Sequence, residues 1–196
     1  MNGVSRTLLC MTVLLVPAAG MAQRQPVTQT QPFSYSYVEL AYDELDFDGA
    51  GDRDGDGLTL SGSFEINEDW HAYASFANAD LDGGIDLDTW AIGAGYRYPL
   101  RDDVDIYGRV LYLTSDVDVG PFDVDDDGLG LQARIRYRVS DEFEVEGGIQ
   151  HLDVDDSDTS LQAMARYHFN DSFSVGLGLT FAGDTDSFGI NARYSF

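Results

Sequence analysis

The chain has 196 residues, with 35 acidic against 11 basic side chains, and its formal net charge at pH 7 is -24. Such an excess of negative charge argues against nucleic acid or an acidic substrate as a partner, because like charges repel. Disorder is also disfavoured, since 12% of the residues are aromatic and these side chains can bury enough apolar surface to fold.

The first 22 residues have the organisation of a secretory signal peptide. Arg6 precedes an apolar run over 7–16, and small residues at Gly20 and Ala22 provide a cleavage site. We therefore predict that residues 1–22 are removed by cleavage near Ala22. The apolar run is too short to cross a bilayer as a helix.

Ten alternating segments follow a polar stretch without pattern. We predict that this stretch, residues 23–34, is a flexible periplasmic lead-in. Each later segment alternates apolar and polar residues with the period of two that a half-buried strand requires. The segments are approximately 35–46, 57–66, 70–80, 87–98, 104–115, 128–139, 143–154, 159–169, 173–182 and 187–196.

Two kinds of connection alternate between these segments. Short turns are predicted at 67–69, 99–103, 140–142 and 170–172, and Asp-rich connections at 47–56, 81–86, 116–127, 155–158 and 183–186. Short turns on one side and longer loops on the other are typical of membrane barrels, whose longer loops face outward from the cell.

We predict an all-β fold, an antiparallel up-and-down transmembrane β-barrel of ten strands over 35–196, with eight strands as an alternative. A soluble β-sandwich or lipocalin-like barrel would turn its apolar faces inward and is the competing interpretation.

The chain resembles the small outer-membrane β-barrel proteins of Gram-negative bacteria, the OmpA, OmpX and OmpW-like class. The signal peptide, the alternating strands and the C-terminal run over 193–196 carry this resemblance. It implies an integral protein of the cell outer membrane, in contact with membrane lipid and lipopolysaccharide. It also implies that Tyr194 and Phe196 form the signal read by the outer-membrane insertion machinery. We expect a monomer. The resemblance implies no single function, because members are porins, adhesins, enzymes or structural proteins.

Charged residues with the inward parity predict a network inside the barrel. Opposite charges that face each other across a strand pair are favourable. Across the short turns, the facing pairs should be Arg138 with Glu144, Arg136 with Glu146, Arg97 with Asp105, and Glu65 with His71. The full predicted network is Glu39, Glu65, His71, Arg97, Asp105, Arg109, Arg134, Arg136, Arg138, Glu144, Glu146, Arg166 and Arg193. It either fills the lumen or lines a narrow pore.

Two acidic connections contain the pattern D-x-D-x-D-G, at 52–57 and 123–128. This is the first half of an EF-hand-type loop, in which alternating carboxylates bind a hard cation, although the bidentate acid at its end is missing. The candidate ligands for Ca²⁺ or Mg²⁺ are Asp52, Asp54, Asp56, Asp123, Asp125 and Asp127. The alternative is that aspartate is simply a favoured turn residue here.

Catalysis has weak support in the sequence. Asp80 with Asp82, and His151 with Asp153, could activate a water molecule, but His151 has the outward parity. We therefore expect no enzyme. The sequence favours a structural or surface-interacting role, with a narrow porin for small solutes or ions as the alternative. A protease or a lipid-modifying enzyme is the less favoured possibility.

Overall fold

The computed structural model describes residues 33–47, 53–119, 122–154, 156–183 and 185–196. The predicted signal peptide and residues 23–32 lie outside this part of the chain. The strands are β1 (Tyr37–Phe47), β2 (Arg53–Glu65), β3 (Trp70–Leu81), β4 (Ile85–Arg101), β5 (Val104–Val119), β6 (Phe122–Arg138), β7 (Phe143–Val154), β8 (Asp156–His168), β9 (Phe173–Ala182) and β10 (Thr185–Ser195).

The ten strands form one closed antiparallel barrel, which confirms the predicted fold. Each strand pairs with its neighbours in sequence, and β1 pairs with β10 from Tyr37–Ser195 to Phe47–Thr185. Closure removes the open edges that would leave backbone groups unpaired in lipid. No helix among the described residues is long and apolar enough to cross a membrane.

The outer surface is apolar over a band bounded by aromatic side chains. Leu60 and Ile92 point outward and are 52% and 59% exposed, while the inward Ser61 is 3% exposed. This orientation is opposite to that of a soluble barrel. One aromatic girdle contains Trp70, Tyr96, Tyr98, Phe143, Tyr167, Phe169, Phe173, Tyr194 and Phe196, and the other contains Tyr42, Phe76, Trp90, Tyr112, Phe181 and Phe188.

The distance between the girdles suits a bilayer. Trp90 and Tyr98 are about 27 Å apart along β4 at about 3.4 Å per residue. With a strand tilt of about 40°, this is about 20 Å along the barrel axis, close to the apolar band of about 25 Å that outer-membrane barrels present. We call the end with the turns at 66–69, 102–103, 139–142 and 169–172 the turn end, and the other end the acidic end.

The acidic end corrects the prediction of long acidic loops. β4, β5 and β6 have 17, 16 and 17 residues, whereas about 9–11 residues cross a bilayer. The strands therefore continue through most of the predicted connections, and the β3–β4 connection is only residues 82–84. The physical reason is visible in β4, where Asp86 and Asp88 point outward while Ile85 and Leu87 point inward. The alternation with a period of two therefore continues, but here the polar side chains point outward and the apolar side chains point inward. The high content of aspartate in this stretch led to the prediction of a loop.

Candidate functional site

The lumen near the turn end contains three connected groups of buried charges. The first group lies where β1 and β10 close the barrel. Glu39 Oε2 accepts hydrogen bonds there from Arg166 Nη1 at 2.8 Å and from Arg193 Nε at 3.0 Å. All three side chains are 1% exposed. The Arg193 guanidinium also lies 3.4 Å from the ring centroid of Tyr37. Glu39 on β1 therefore forms ion pairs with arginines on both β8 and β10.

The second group lies on β6 and β7. Arg136 faces Glu146 and Arg138 faces Glu144, as predicted. Arg136 forms its shorter ion pair with Glu144, at 2.8 Å, and Arg134 pairs with Glu146 at 2.7 Å. These contacts are charge-assisted hydrogen bonds between almost completely desolvated groups. Their geometry must be good, because only close pairing offsets the free energy of desolvation.

His168 on β8 extends this second group, because its Nε2 lies 3.3 Å from a Glu144 oxygen. Glu144 thus has contacts with side chains on two neighbouring strands.

The third group, on β3 to β5, departs from the predicted pairing. Asp105 faces Pro99 rather than Arg97, because the turn lies at residues 102–103 instead of being centred on Arg101. Arg97 still reaches Asp105 diagonally, at 3.7 Å. His71 faces Glu65 as predicted.

His71 nevertheless uses its Nε2 to accept a hydrogen bond from Arg109 Nε at 3.1 Å. All thirteen residues of the predicted network point into the lumen, and all except Glu65 and Arg138, which are partly exposed, are buried.

The residues before β1 fill the mouth of the lumen, which corrects the lead-in boundary at residue 34. Phe33 and Tyr35 are 1% and 0% exposed. The Arg136 guanidinium lies 4.8 Å from the Phe33 ring and 4.9 Å from the Tyr35 ring, within cation–π range. The Tyr35 amide donates to Glu65 Oε1 at 3.1 Å, and Ser63 Oγ donates to the Tyr35 carbonyl at 3.1 Å. We call residues 33–36 the N-terminal plug.

Burial raises the pKa of the Tyr35 hydroxyl well above its ordinary value, because the charged form would be desolvated. The hydroxyl therefore stays neutral beside the charges of the network.

A glutamine layer lies above the ion pairs. Gln132 Oε1 accepts a hydrogen bond from Arg109 at 3.2 Å, and its amide donates to Gln150 Oε1 at 2.5 Å. Gln162 Oε1 accepts from Arg134. Above this layer, one side of the lumen is apolar. We call this cluster the apolar cap, and its buried members are Leu45, Tyr73, Ala77, Ala79, Leu81, Leu87, Ala91, Leu111, Leu113 and Leu152.

Sequence reasoning missed the plug, the glutamine layer and the apolar cap. Tyr35 and Tyr37 have the same inward parity as Glu39, so the pattern did contain a signal for them. Phe33 could not be assigned, because the polar residues before it hide the start of the alternation. The apolar cap was hidden because its leucines alternate with aspartates.

The carboxylates of the acidic end lie on the outer wall of the barrel, beyond the aromatic girdle. We call them the acidic collar; its described side chains are Glu44, Asp46, Asp54, Asp56, Asp80, Asp82, Asp86, Asp88, Asp116, Asp118, Asp125, Asp127, Asp153 and Asp186. Many of them face each other directly. One row runs across five strands, from Glu44 through Asp56, Asp80 and Asp86 to Asp118. Like charges in such positions destabilise a sheet.

The predicted calcium loops do not have an EF-hand geometry. Asp54 and Asp56 lie in β2, and Asp125 and Asp127 in β6, where alternate side chains project in parallel instead of converging. Asp52 and the side chain of Asp123 lie outside the described residues. Within the described part of the chain, no group of three or more His, Cys, Asp or Glu side chains is placed to hold a metal ion.

The candidate catalytic residues are also on the outer wall. Asp80, Asp82 and Asp153 are exposed members of the collar, and His151 is exposed with its Nδ1 2.8 Å from Thr159 Oγ1. Asp80 and Asp82 line an open cavity together with other carboxylates of the collar, whereas His151 and Asp153 are not part of its lining.

Comparisons with known proteins agree with the architecture. The chain covers 99% of the KdgM porin in complex with disordered oligogalacturonate, with 10% identity, a TM-score of 0.51 and 82% of this chain aligned. It is also similar to an outer-membrane channel from Pseudomonas putida F1 (10% identity, TM-score 0.50, 82% of this chain and 95% of that one). A third similar structure is the β domain of the Bordetella autotransporter BrkA (13% identity, TM-score 0.50, 82% and 98%).

At these identities the three structures support the fold alone. No curated protein matches the sequence. A family model described as the outer membrane protein beta-barrel domain matches residues 8–181. The chain belongs to the outer membrane protein β-barrel family and is an integral outer-membrane protein.

Proposed function

We propose that this protein is a closed, non-enzymatic barrel that presents an acidic surface at the outer face of the membrane, and that it conducts no solutes. The filled lumen is the observation that carries this proposal. Ion pairs and the N-terminal plug occupy the turn end, the glutamine layer follows, and the apolar cap lies above it on one side of the lumen. A ten-stranded barrel is only slightly wider than the eight-stranded barrels whose interiors side chains can fill.

Conductance in planar bilayers tests the closed state. We expect the full mature chain to give no stable single-channel steps. A variant with Phe33→Ala and Tyr35→Ala removes the plug's rings from the turn end, yet it should also remain silent, because the apolar cap is intact. Stable steps from the unmodified protein would refute the closed state and favour the narrow porin.

The acidic collar supports the second part of the proposal, an interaction with the membrane surface through divalent cations. Its carboxylates start directly after the aromatic girdle, at the level where lipopolysaccharide phosphates lie if the acidic end faces outward. Facing carboxylates repel each other and also repel phosphates, and shared Ca²⁺ or Mg²⁺ relieves both repulsions. Binding of shared cations in this way needs no preformed set of converging ligands. It is therefore compatible with strands along which the carboxylates project in parallel.

Calcium-dependent stability tests the collar. We expect calcium to raise the unfolding midpoint in lipopolysaccharide-containing vesicles, relative to a chelator, and the Asp54→Asn/Asp56→Asn variant to show a smaller gain. The matched control is Asp141→Asn/Asp171→Asn, which removes two carboxylates from the turn end and should leave the gain unchanged. An equal gain in all three proteins would exclude a specific role for the collar.

A further inference from the structure

Asp43 is a buried carboxylate that the ion-pair network does not neutralise. It points into the lumen from β1 and is 4% exposed. The other buried carboxylates among the described residues, Glu39, Asp105, Glu144 and Glu146, each have an arginine nitrogen within 3.7 Å. Asp43 Oδ1 is buried without a hydrogen-bond partner in the described part of the chain. A buried charge in this position requires a compensating positive charge or a proton.

The strand register forms a recess around Asp43. Asp43 faces Gly57 on β2 and Gly189 on β10, and Gly189 in turn faces Gly178 on β9. Three glycines in one row leave the inner wall without side chains beside the carboxylate. Asp43 uses this space, because its Oδ1 leans over Gly189 into the position that a Cβ would occupy there.

Two hydroxyl groups next to this row are also without partners. Ser187 on β10 and Thr180 on β9 face each other directly, one inward position above Gly189 and Gly178. Both are buried, and neither Ser187 Oγ nor Thr180 Oγ1 has a hydrogen-bond partner among the described residues. Asp43 and Ser187 are diagonal neighbours on adjacent strands, and such residues lie about 7–8 Å apart at Cα. Thr180 faces Ser187 from the next strand. Because Asp43 Oδ1 leans over Gly189 toward this pair of hydroxyl groups, the three oxygens can share one small ligand.

We propose that this recess binds one monovalent inorganic cation of the sodium or potassium class, with Asp43, Ser187 and Thr180 as ligands. Oxygen donors suit a hard cation. The single carboxylate sets the charge, because one positive charge balances it, whereas a divalent ion would leave an unpaired charge in a desolvated site. The site is separate from the acidic collar and does not depend on the role proposed for it.

Cation-dependent melting tests the site. At pH 8 and with a chelator present, we expect the unfolding midpoint of the full mature chain to be higher in sodium chloride than in choline chloride of equal ionic strength. The difference should be about 3–6 °C at ten times the dissociation constant. Asp43→Asn should abolish it and Ser187→Ala should reduce it. The control, Asp141→Asn, removes an exposed carboxylate from the turn end and should keep the full difference.

Crystals soaked in rubidium chloride give a second readout. We expect an anomalous peak beside Asp43 in the unmodified protein and none in Asp43→Asn. Equal midpoints in sodium and choline, or no peak beside Asp43 in the unmodified protein, would overturn the proposal and leave a proton as the group that neutralises this carboxylate.

Discussion

The substitution Glu39→Gln removes the negative charge that two buried arginines share. Glu39 Oε2 accepts charge-assisted hydrogen bonds from Arg166 at 2.8 Å and Arg193 at 3.0 Å, and all three side chains are 1% exposed. Hydrogen bonds to charged groups contribute about 1.5–3 kcal/mol each, and breaking a buried ion pair from one side costs about 3–5 kcal/mol. We therefore expect the free energy of unfolding to fall by about 3–5 kcal/mol.

The assay is equilibrium unfolding by urea in lipid vesicles, followed by tryptophan fluorescence. Glu44→Gln is the matched control, because Glu44 lies on the same strand and points outward. It faces Asp56, so its loss removes a repulsion and should leave stability unchanged or slightly higher. If Glu39→Gln lowers the free energy by less than about 1 kcal/mol, water must compensate the two arginines, and the desolvated network described above would be wrong.

Three further variants test the packing and the insertion signal. Gly148→Ala should lower the free energy of unfolding by about 1–3 kcal/mol, because the new Cβ would lie 2.6 Å from the Arg134 side chain. Gly147→Ala is the control and should be nearly neutral, because the nearest atom to its Cβ would lie at 3.8 Å. Equal losses in the two variants would contradict this prediction. Leu113→Ala should lower the free energy of unfolding by about 2–5 kcal/mol in the same urea assay, since Leu113 is 2% exposed within the apolar cap. A decrease of less than about 1 kcal/mol would mean that the cap is loosely packed. Phe196→Ala should reduce the amount of folded barrel recovered from outer membranes, measured by heat-modifiable gel mobility, and unchanged recovery would show that Phe196 is not part of the insertion signal.

The band between the girdles could be predicted from sequence because two independent constraints agree there. Lipid requires apolar residues on one parity, and a narrow lumen permits polar residues on the other. The arginine–glutamate pairs on β6 and β7 follow from that alternation and a short turn. The Arg97–Asp105 pair did not, because the turn lies at residues 102–103 and the register shifts between Pro99 and Arg101. Neither feature is set by the polarity pattern.

The N-terminal plug depends on contacts that no local pattern contains. Arg136 touches the Phe33 ring from a position more than a hundred residues away, and only the closed barrel brings the two together. The Asp43 recess has the same origin, because its three glycines lie on three different strands. Side chains that meet across several strands can be assigned to a face from sequence, but their partners require the register.

The reversal of polarity along single strands places apolar side chains inside the barrel beyond the aromatic girdle, although the connections are short. In β4, Trp90 points outward at the girdle, and the next outward residues toward the acidic end are Asp88 and Asp86, opposite the inward Leu87. Water outside favours carboxylates on the outer wall at this level, and the interior gains from apolar burial as in a soluble protein. The strands therefore bury apolar side chains such as Leu87 inside the barrel at this level without any long loop folding inward. The same alternation that crosses the lipid thus places the apolar cap on one side of the lumen and the carboxylates of the acidic collar on the outer wall.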